Sequence, residues 1–436
     1  MSDYKDLKVS IIGAGMGGLA AALALAKKGF KEIHIFEDAP ALGFVGAGIQ
    51  MAPNMIRILD QLGVWANSAI KKDATQVQEL VIHDGATNKL LARVSMRDIG
   101  DKYGYPHFTG HRASLAEGLY EGAKSQPSVR FHFRNTFQYV LSFGPNQVKF
   151  VIKDQYGKMH TLETDILIGA DGIKSTVRES ILRHLNVSAE VQETGTAAYR
   201  ILIKRKQLEP YPDLLEMLDS NAARRWIGEK RHIMAYPIHN HTIFNIATAQ
   251  PDVNFAGATN ATWTNLGDKT AMKRVFADFG PTVRQLLDLV PEGDVVEWRL
   301  RCHKPLSTWT CGAVALLGDA CHPTLPHLSQ GAAMAIEDAA TLAETLSMIP
   351  NGVKDREAIA KTLKVYELLR KPRAGKRREE RDRQFAAAET GPAAIPDKWA
   401  SPEVQKMIYE HDCISDTQER FHSIYATAAN KISSRL

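Results

Sequence analysis

The chain has 436 residues, of which 44% are apolar and 24% are charged, and its formal net charge is +5. These values are close to globular averages, which excludes a largely disordered chain, and the mild positive charge does not favour nucleic-acid binding. The longest strictly apolar run, Leu19–Ala26, is far shorter than the roughly 18 residues of a membrane span. The first eight residues include Asp3, Lys5 and Asp6 and lack an apolar segment, so we expect no secretory signal peptide. The composition therefore predicts a soluble, intracellular protein.

The four cysteines predict neither a disulfide framework nor a metal site. They are too few and too clustered for a chain of this length: Cys302, Cys311, Cys321 and Cys413. The sequence contains no CxxC pair and no HExxH, so we expect no metal ion. It also lacks the GxSxG turn of α/β-hydrolases. These absences remove the commoner hydrolase and metalloenzyme interpretations.

The first forty residues have the pattern of a strand–helix–strand unit. Lys8–Ile12 is a short β-branched run, which is typical of a buried parallel strand. Leu19–Lys28 is rich in Ala and Leu and predicts a helix, with Gly29 at the position of a C-terminal cap. Ile33–Phe36 predicts a second strand, which ends at Glu37.

The loop between the first strand and the helix matches GxGxxG at Gly13, Gly15 and Gly18. In this motif the first glycine permits the tight turn, the second lets the backbone approach a pyrophosphate, and the third lets the helix pack closely on the sheet. The helix N-terminus then presents unpaired N–H groups to the phosphates. Glu37 is placed to accept hydrogen bonds from ribose hydroxyls. The pattern predicts a dinucleotide site but does not separate NAD from FAD.

Two later segments also run from an apolar strand into a polar turn, Asp165–Gly172 and Ala313–Asp319. The second leads into Gly331–Ala340, which predicts a helix. Between them, residues 187–292 predict a mainly antiparallel sheet with strands such as Ala198–Ile203, His232–Pro237 and His241–Ala249.

The last ninety residues predict helices, with breaks at Pro372 and at 391–402. Within them, the basic run Arg370–Arg381 contains interspersed acids. We interpret this run as a solvated helix face with i,i+4 ion pairs rather than as a nucleic-acid patch.

The ordered motifs from Gly13 to about Arg373 resemble those of the flavoprotein aromatic hydroxylases, the single-component FAD-dependent monooxygenases that include salicylate hydroxylase. Gly169–Gly172, continuing through Ser175 to Arg178, resembles the Asp-Gly motif of this family. Gly318–Pro323, followed by Pro326 and Gly331, resembles its Gly-Asp motif. Further segments resemble the salicylate-hydroxylase-like branch: Gly46–Gly48, Asn54, Tyr199–Arg200, Tyr236–Pro237 and Gln330–Asp338.

The resemblance implies FAD as the cofactor. It implies pyrophosphate contacts from Gly13, Gly15 and Gly18 and a ribose contact from Glu37. The other implied contacts are Ala47 and Gly48 near the flavin, Arg112 at the pyrophosphate or ribityl chain, Asp171, Asp319 at the ribityl chain, and the backbone N–H groups of Gly331 and Ala332 near the reactive ring. Asp171 can equally be a turn residue. There is no second GxGxxG, so the resemblance implies that NADH or NADPH docks transiently.

The resemblance also implies candidate catalytic residues. After FAD is reduced by a nicotinamide, one oxygen atom of O₂ is transferred to an electron-rich ring, so a group that stabilises a phenolate helps. Arg200 would stabilise a phenolate or carboxylate, and Tyr236 would hydrogen-bond the phenol oxygen. His322 would act as a base or hydrogen-bond the substrate. The alternatives are a solvent-facing Arg200, a core Tyr236 and a His322 that only shapes its loop.

Other residues of these segments have simpler interpretations. Arg224 and Arg225 could help to bind an acid substrate, but we interpret them as an exposed pair. Cys321 is interpreted as a small packing residue.

The predicted fold class is α/β: a Rossmann-like FAD-binding domain of parallel sheet and helices, an inserted β-rich substrate domain and a helical C-terminal part. We assign 1–75, 105–186 and 293–345 to the FAD-binding domain. Residues 76–104 and 187–292 are assigned to the substrate domain, and 346–436 to the C-terminal helical region.

The predicted function is hydroxylation of a small aromatic or heteroaromatic compound with NAD(P)H and O₂. The preferred substrate class is a hydroxybenzoate such as salicylate, and the prediction leaves open whether decarboxylation accompanies hydroxylation. The alternatives are a FAD monooxygenase acting on a larger polyketide, alkaloid or terpenoid, and a binding protein that has lost turnover. We expect no nucleic-acid partner and no membrane span, and a homodimer is only a family-level expectation. We expect a cytoplasmic protein, although Ser434–Leu436 resembles the peroxisomal Ser-Lys-Leu address.

Overall fold

The computed structural model describes residues 3–43, 47–66, 68–143, 147–189, 191–255, 264–325, 329–350, 356–389 and 401–432. Three features of the sequence analysis lie outside these ranges, namely Gly46, Pro326 and Ser434–Leu436. The predicted break at 391–402 also falls largely outside them.

The strands are numbered along the chain as β1 (Lys8–Ile12), β2 (Glu32–Glu37), β3 (Gly48–Met51), β4 (Thr75–Gln76), β5 (Glu79–Asp84), β6 (Leu90–Ser95), β7 (Phe108–His111), β8 (Val129–Phe133), β9 (Thr136–Ser142), β10 (Val148–Lys153), β11 (Met159–Thr164), β12 (Ile166–Gly169), β13 (Val191–Lys204), β14 (Ala222–Gly228), β15 (Arg231–Ile238), β16 (Ile243–Pro251), β17 (Thr264–Leu266), β18 (Val296–His303), β19 (Thr310–Cys311) and β20 (Val314–Leu316).

The helices are α1 (Met16–Lys27), α2 (Pro53–Gln61), α3 (Ala69–Asp73), α4 (Ile99–Tyr103), α5 (Arg112–Lys124), α6 (Thr176–His184), α7 (Arg205–Leu208), α8 (Pro212–Asp219), α9 (Lys269–Val275), α10 (Pro281–Asp288), α11 (Gly331–Ser347), α12 (Arg356–Glu389), α13 (Pro402–Tyr409) and α14 (Cys413–Ile432). In the described part of the chain, no helix combines the length and the apolar character that crossing a membrane requires.

Six strands form the central sheet, in the order β19-β20-β12-β1-β2-β8. All neighbouring strands are parallel except the short β19–β20 pair. In β1 every residue after Lys8 is buried, as expected for a strand covered on both faces. Helix α1 packs against α5 and α11, and the antiparallel sheet β11-β10-β9 adjoins β1 and β2. This architecture confirms the predicted α/β fold class.

The parallel arrangement brings several predicted site residues to one edge of this sheet. Strand β1 ends before Gly13, β2 ends at Glu37, β12 ends before Asp171, and β20 leads to Asp319. Strand β1 lies between β2 and β12, so the strands that follow it in sequence lie on both sides of it in the sheet. Ligands of open α/β sheets bind outside the carboxyl ends of the strands at such a position. The fold thus supplies a shared location for segments that are far apart in the sequence.

A second sheet of eight strands has the order β17-β18-β13-β16-β15-β14-β5-β6. It is antiparallel except for the β14–β5 pair, which confirms the prediction of a mainly antiparallel region. The predicted domain boundary at residue 292 assigned β18 to the FAD-binding domain. Strand β18 instead pairs with β13, from Val191 opposite His303 to Tyr199 opposite Glu297, so its backbone is satisfied within the second sheet.

The prediction of a helix break at Pro372 is wrong, because α12 continues through this residue. Proline removes one backbone N–H and therefore one helical hydrogen bond. Side chains on either side of Pro372 fix the helix to its surroundings: Arg370 contacts Asp338 at 2.7 Å, and Arg373 contacts Glu337 at 2.6 Å. Tertiary ion pairs thus hold the helix together across the proline.

The interpretation of the basic run as a solvated face is also wrong. Arg370 is 1% exposed and Arg377 is 5% exposed. Their partner Glu337 lies on α11 and is fully buried, with guanidinium nitrogens of Arg370, Arg373 and Arg377 at 2.8, 2.6 and 3.0 Å. Burial would raise the pKa of the Glu337 carboxyl, but these arginines hold it well below its usual value. We call Glu337, Asp338, Arg370, Arg373 and Arg377 the α11–α12 ion cluster.

We expect Glu337→Gln to lower the free energy of unfolding by about 3–5 kcal/mol, because it leaves buried guanidinium groups without their shared countercharge. Urea denaturation of the FAD-saturated protein, followed by circular dichroism, measures this change. Glu117→Gln is the matched control, since Glu117 is exposed on α5, and a change within about 0.5 kcal/mol is expected. Equal stabilities of the two variants would show that the cluster contributes little.

Candidate active site

The glycine-rich loop after β1 has the geometry that its sequence predicts. Gly13 has a φ of +99°, and a Cβ there would lie 2.6 Å from the carbonyl oxygen of Ala170. A Cβ on Gly18 would lie 2.0 Å from the carbonyl oxygen of Gly13. Gly15 differs, because, apart from its chain neighbours, no atom of the described residues lies within 4 Å of the place its Cβ would take. Two glycines are therefore required by packing, and the third borders open space.

That open space lies at the N-terminus of α1. Gly15 is the N-terminal cap residue and provides no side-chain hydrogen bond to the first turn. The first N–H groups of the helix are consequently available to an anion, and the helix dipole favours negative charge at this end. The loop therefore fits the pyrophosphate of a dinucleotide.

Glu37 lies beside this loop at the end of β2. One carboxylate oxygen accepts a hydrogen bond from the N–H of Ala14 at 2.8 Å, and the other accepts one from Ala39 at 3.0 Å. These contacts fix the carboxylate next to the glycine-rich turn. Each carboxylate oxygen can still accept further hydrogen bonds, so a ribose contact remains compatible with the position.

Asp171 has the turn role that the sequence left as an alternative. Its Oδ2 accepts hydrogen bonds from the backbone N–H groups of Thr176 and Val177 at 2.8 and 3.1 Å, which caps α6. Its Oδ1 is buried and has no hydrogen-bond partner in the described part of the chain. The residue thus has a helix-capping function, and the cofactor contact stays a prediction.

Asp319 and Arg112 lie close enough to interact electrostatically. Asp319 is exposed, yet the surrounding protein raises the pKa of its carboxyl, an effect that the positive charge of Arg112 opposes. Arg112 is the first residue of α5, and its N–H donates to the carbonyl of Ala47 at 3.1 Å. The structure therefore brings Ala47, Arg112 and Asp319 together.

Gly48 packs against the eight-stranded sheet. Its N–H donates to Oδ1 of Asn245 at 2.6 Å. A Cβ on Gly48 would lie 2.6 Å from Cγ of Asn245 and 2.7 Å from Cε2 of Tyr236. Nδ2 of the buried Asn245 has no hydrogen-bond partner among the described residues. Asn245 is a site residue that sequence reasoning missed, and its alternation with buried Phe244 and Ile246 on β16 was the available signal.

Arg200 and Tyr236 project from the same face of the eight-stranded sheet. The guanidinium of Arg200 lies 5.3 Å from the centre of the Trp298 ring, a cation–π contact, and the residue is half-buried. Burial lowers the pKa of Arg200, and the nearby Arg112 adds to this. Burial raises the pKa of Tyr236, and Arg200 opposes this shift. Arg200 is therefore close enough to interact electrostatically with both Arg112 and Tyr236.

His322 is held by Asp338 of the α11–α12 ion cluster, with Nε2 and Oδ2 2.5 Å apart. Burial would raise the pKa of the Asp338 carboxyl, but His322 and Arg370 lower it, so Nε2 carries the proton and donates it. The ring also packs near Trp309, with centres 5.1 Å apart. One ring nitrogen, Nε2, is thus engaged in a hydrogen bond within the protein. A catalytic role for His322 would have to use Nδ1, and this role stays a prediction.

Gly331 and Ala332 begin α11, and Gln330 is the cap residue without a side-chain hydrogen bond to the helix. The Gln330 side chain instead accepts from Asn54 at 3.2 Å and from Arg377 at 2.7 Å. These bonds fix the start of α11, whose first N–H groups remain available. The arrangement is compatible with the predicted donors near the reactive ring.

Cys321, His322 and Asp338 form a group whose potential ligand atoms lie within 4.8 Å of one another. The carboxylate oxygens of Asp338 already accept from His322, from the Gly318 N–H at 2.9 Å and from Arg370. A neighbouring guanidinium disfavours a cation, so we interpret this group as part of the buried hydrogen-bond network.

The chain matches the family model described as an FAD binding domain over residues 6–380. One relative is 3-hydroxybenzoate 6-hydroxylase of Polaromonas naphthalenivorans, which is 33% identical over 84% of this chain and 87% of the relative. Another is FAD-dependent monooxygenase ntnJ of a Nectria species, 32% identical over 84% of this chain and 81% of the relative. A further relative is 6-hydroxynicotinate 3-monooxygenase of Pseudomonas fluorescens, 31% identical over 85% of this chain and 89% of the relative. The structure of a salicylate hydroxylase substrate complex is similar in fold, with a TM-score of 0.74, 24% identity and coverage of 98% of each chain.

The fold and the site therefore define a flavin-dependent monooxygenase. The chain belongs to the FAD-binding family of aromatic hydroxylases, is an enzyme of this class and uses FAD as its cofactor. NADH or NADPH is the typical co-substrate of this family. The glycine-rich loop, with the helix N-terminus beside Gly15, fits the pyrophosphate of such a dinucleotide.

Substitution of two glycines to alanine separates cofactor binding from folding. We expect Gly15→Ala to keep the stability of the apoprotein within about 1 kcal/mol while weakening FAD binding about tenfold or more, since its methyl group fills the space beside the helix N–H groups. Gly18→Ala is expected to destabilise the apoprotein by about 1–3 kcal/mol or more, because its methyl group meets backbone. Flavin fluorescence titration and thermal unfolding measure the two effects. Identical behaviour of the variants would contradict this assignment.

Proposed function

We propose that this enzyme hydroxylates a small aromatic or heteroaromatic compound at the expense of NADH or NADPH and O₂, and that its substrate is a hydroxybenzoate-like acid. In this proposal the eight-stranded sheet forms the floor of the substrate site. The observation that carries the proposal is the packing of Tyr236 and Asn245 against Gly48, which connects a polar substrate face directly to the cofactor loop. Bound FAD supplies the redox chemistry, accepting a hydride and activating O₂.

Tyr236 has the properties of a group that receives the substrate hydroxyl. It is 5% exposed, and burial raises its pKa, so the side chain stays protonated and can donate a hydrogen bond. A donor to the phenol oxygen stabilises the negative charge that this oxygen gains as the ring becomes more electron-rich. Nδ2 of Asn245 is a second buried donor beside it.

Arg200 supports the same chemistry as a permanent positive charge. Its aromatic contact with Trp298 fixes the guanidinium plane at the edge of the face, where it stabilises an anionic substrate or product. Gly331 and Ala332 would supply backbone donors near the reactive ring, and Asp319 with Arg112 would hold the ribityl and phosphate portions. His322 would act through Nδ1, since Nε2 is engaged with Asp338.

The relatives support the acid class, because two of them are named as hydroxylases of hydroxybenzoate and hydroxynicotinate. The chain covers most of the length of both relatives. Two alternatives must be distinguished from this proposal by the substrate assay. One is hydroxylation of a larger polyketide, alkaloid or terpenoid, and the other is a binding protein that has lost turnover.

The test is nicotinamide oxidation by the FAD-loaded protein in air, against hydroxybenzoates, hydroxynicotinates and larger phenols, with mass spectrometry of the products. We expect stimulation by a small aromatic acid and a product heavier by one oxygen atom, or a product in which a hydroxyl has replaced the carboxylate. Stimulation by larger phenols alone would favour the alternative. No oxidation of nicotinamide with any compound would overturn the proposal and favour a binding protein.

We expect Tyr236→Phe to lower kcat on the best substrate about 100-fold without changing FAD affinity, because the donor to the phenol oxygen is lost while the ring remains. Single-turnover and steady-state kinetics measure the change. Tyr156→Phe is the control, since Tyr156 is 85% exposed, and its kcat should equal that of the wild type. An unchanged kcat in Tyr236→Phe would remove this residue from the proposed mechanism.

We also propose cytoplasmic localisation, with peroxisomal delivery by Ser434–Leu436 as the alternative. Fusion of the last ten residues to a fluorescent reporter tests the two. A uniform cytosolic signal supports the first, and a punctate peroxisomal signal supports the second.

A further inference from the structure

Arg225 is a buried charged residue in the middle of β14. The residue is 9% exposed, and its Nε has no hydrogen-bond partner in the described part of the chain. Burial alone lowers the pKa of its guanidinium to about 10, and no neighbouring carboxylate opposes this. The interpretation of Arg224 and Arg225 as an exposed pair is therefore wrong for Arg225. A buried charge without a countercharge is costly and requires an explanation.

Strand geometry shows which face Arg225 occupies. Trp226, the next residue, is fully buried in the cluster that contains Tyr199, and Arg224 donates to Ser220 at 2.7 Å beside α8. Because successive side chains of a strand point to opposite faces, Arg225 shares the other face with Ala223, which packs in the same cluster as Tyr236. Arg225 therefore belongs to the face that contacts Gly48.

The register gives its distance from the other polar groups of that face. Arg225 is opposite Met234 on β15, so Tyr236, two residues further along, is its diagonal neighbour at about 7–8 Å between Cα atoms. The row continues from Met234 through Ala247 to Arg200. Arg200 is thus three strands away from Arg225, about 14 Å at the usual strand spacing. Small and flexible side chains lie between the two arginines.

The nearest acidic side chains on the neighbouring strand β5 are already engaged. Glu79 accepts from Arg93 at 2.9 Å, and Asp84 accepts from the N–H and hydroxyl of Thr87. Neither provides a countercharge for Arg225. The free nitrogens of a guanidinium form a planar fork that matches a carboxylate.

We infer that Arg225 is the residue that selects an acidic substrate: it binds the carboxylate of an aromatic acid whose hydroxyl contacts Tyr236. This inference rests on the proposed function and specifies how that site recognises its substrate. The two side chains lie on the same face of adjacent strands, so one small aromatic acid can contact both. The ring would then lie over Met234, next to the cofactor loop.

The test uses the FAD-loaded full chain and pairs each hydroxybenzoate with its neutral hydroxybenzamide. Dissociation constants are measured from the change in flavin absorbance on ligand binding, which requires no turnover. We expect the wild type to bind the matching acid about tenfold or more tightly than the amide. Arg225→Gln should lose this preference by weakening acid binding alone. Arg224→Gln, altered at the adjacent residue on the opposite face, should keep the preference.

A second variant tests whether Arg225 is retained for binding rather than for stability. Arg225→Met replaces the buried charge by an apolar side chain of similar length, so the ligand-free protein should melt about 2 °C or more higher. A lower melting temperature would mean that Arg225 has a structural partner elsewhere in the chain and would overturn the inference. So would equal losses of acid and amide binding, or failure of every acid to bind.

These outcomes are separable from those of the proposed function. Acid binding that depends on Arg225, without any nicotinamide oxidation, would keep the inference and reject the hydroxylase function. Turnover of neutral phenols with no preference for acids would keep the hydroxylase function and reject the role of Arg225.

Discussion

The buried carboxylates of Glu337 and Asp338 are the interaction on which much of the molecule depends. Two consecutive residues of α11 carry both charges, and Arg370 contacts both carboxylates at 2.8 and 2.7 Å. Asp338 accepts from the N–H of Gly318 and from His322, which fixes the end of β20 and the loop that follows it. Glu337 accepts from Asn54 at 2.7 Å, which fixes α2. Because α12 supplies the countercharges, the C-terminal helices form part of the cofactor region rather than an appendage.

The same cluster also reaches the face that we propose to bind the substrate. Besides Glu337, Arg373 donates to the carbonyl groups of Met407 and Ile408 at the end of α13. Ile408 packs in the apolar cluster that contains Tyr236. A single guanidinium therefore links α11 to the end of α13, beside the apolar cluster that contains Tyr236. Arginine suits this position because its fork of donors can satisfy a carboxylate and backbone carbonyls together.

Local patterns predicted the elements whose geometry is set by neighbouring residues. Strand β1 has the predicted bounds, and Gly29 follows α1 with a φ of +89°, because a glycine cap and a β-branched run act over a few residues. Pro372 and the basic run were misjudged because their partners lie on α11, some thirty residues away in sequence. The burial of Arg225 depends on the pairing of β14 with β15 and β5, which periodicity alone does not reveal.

In the proposed site, the contact of Gly48 with Tyr236 and Asn245 would hold cofactor and substrate at a fixed separation. No side chain fits between β3 and this part of the sheet, since even a methyl group on Gly48 would lie less than 3 Å from both residues. The hydrogen bond from the Gly48 N–H to Asn245 adds a directional constraint to this close packing. Oxygen transfer depends on the distance between the two reacting centres to within about an ångström. A backbone strand packed directly on the substrate face provides that precision without relying on flexible side chains.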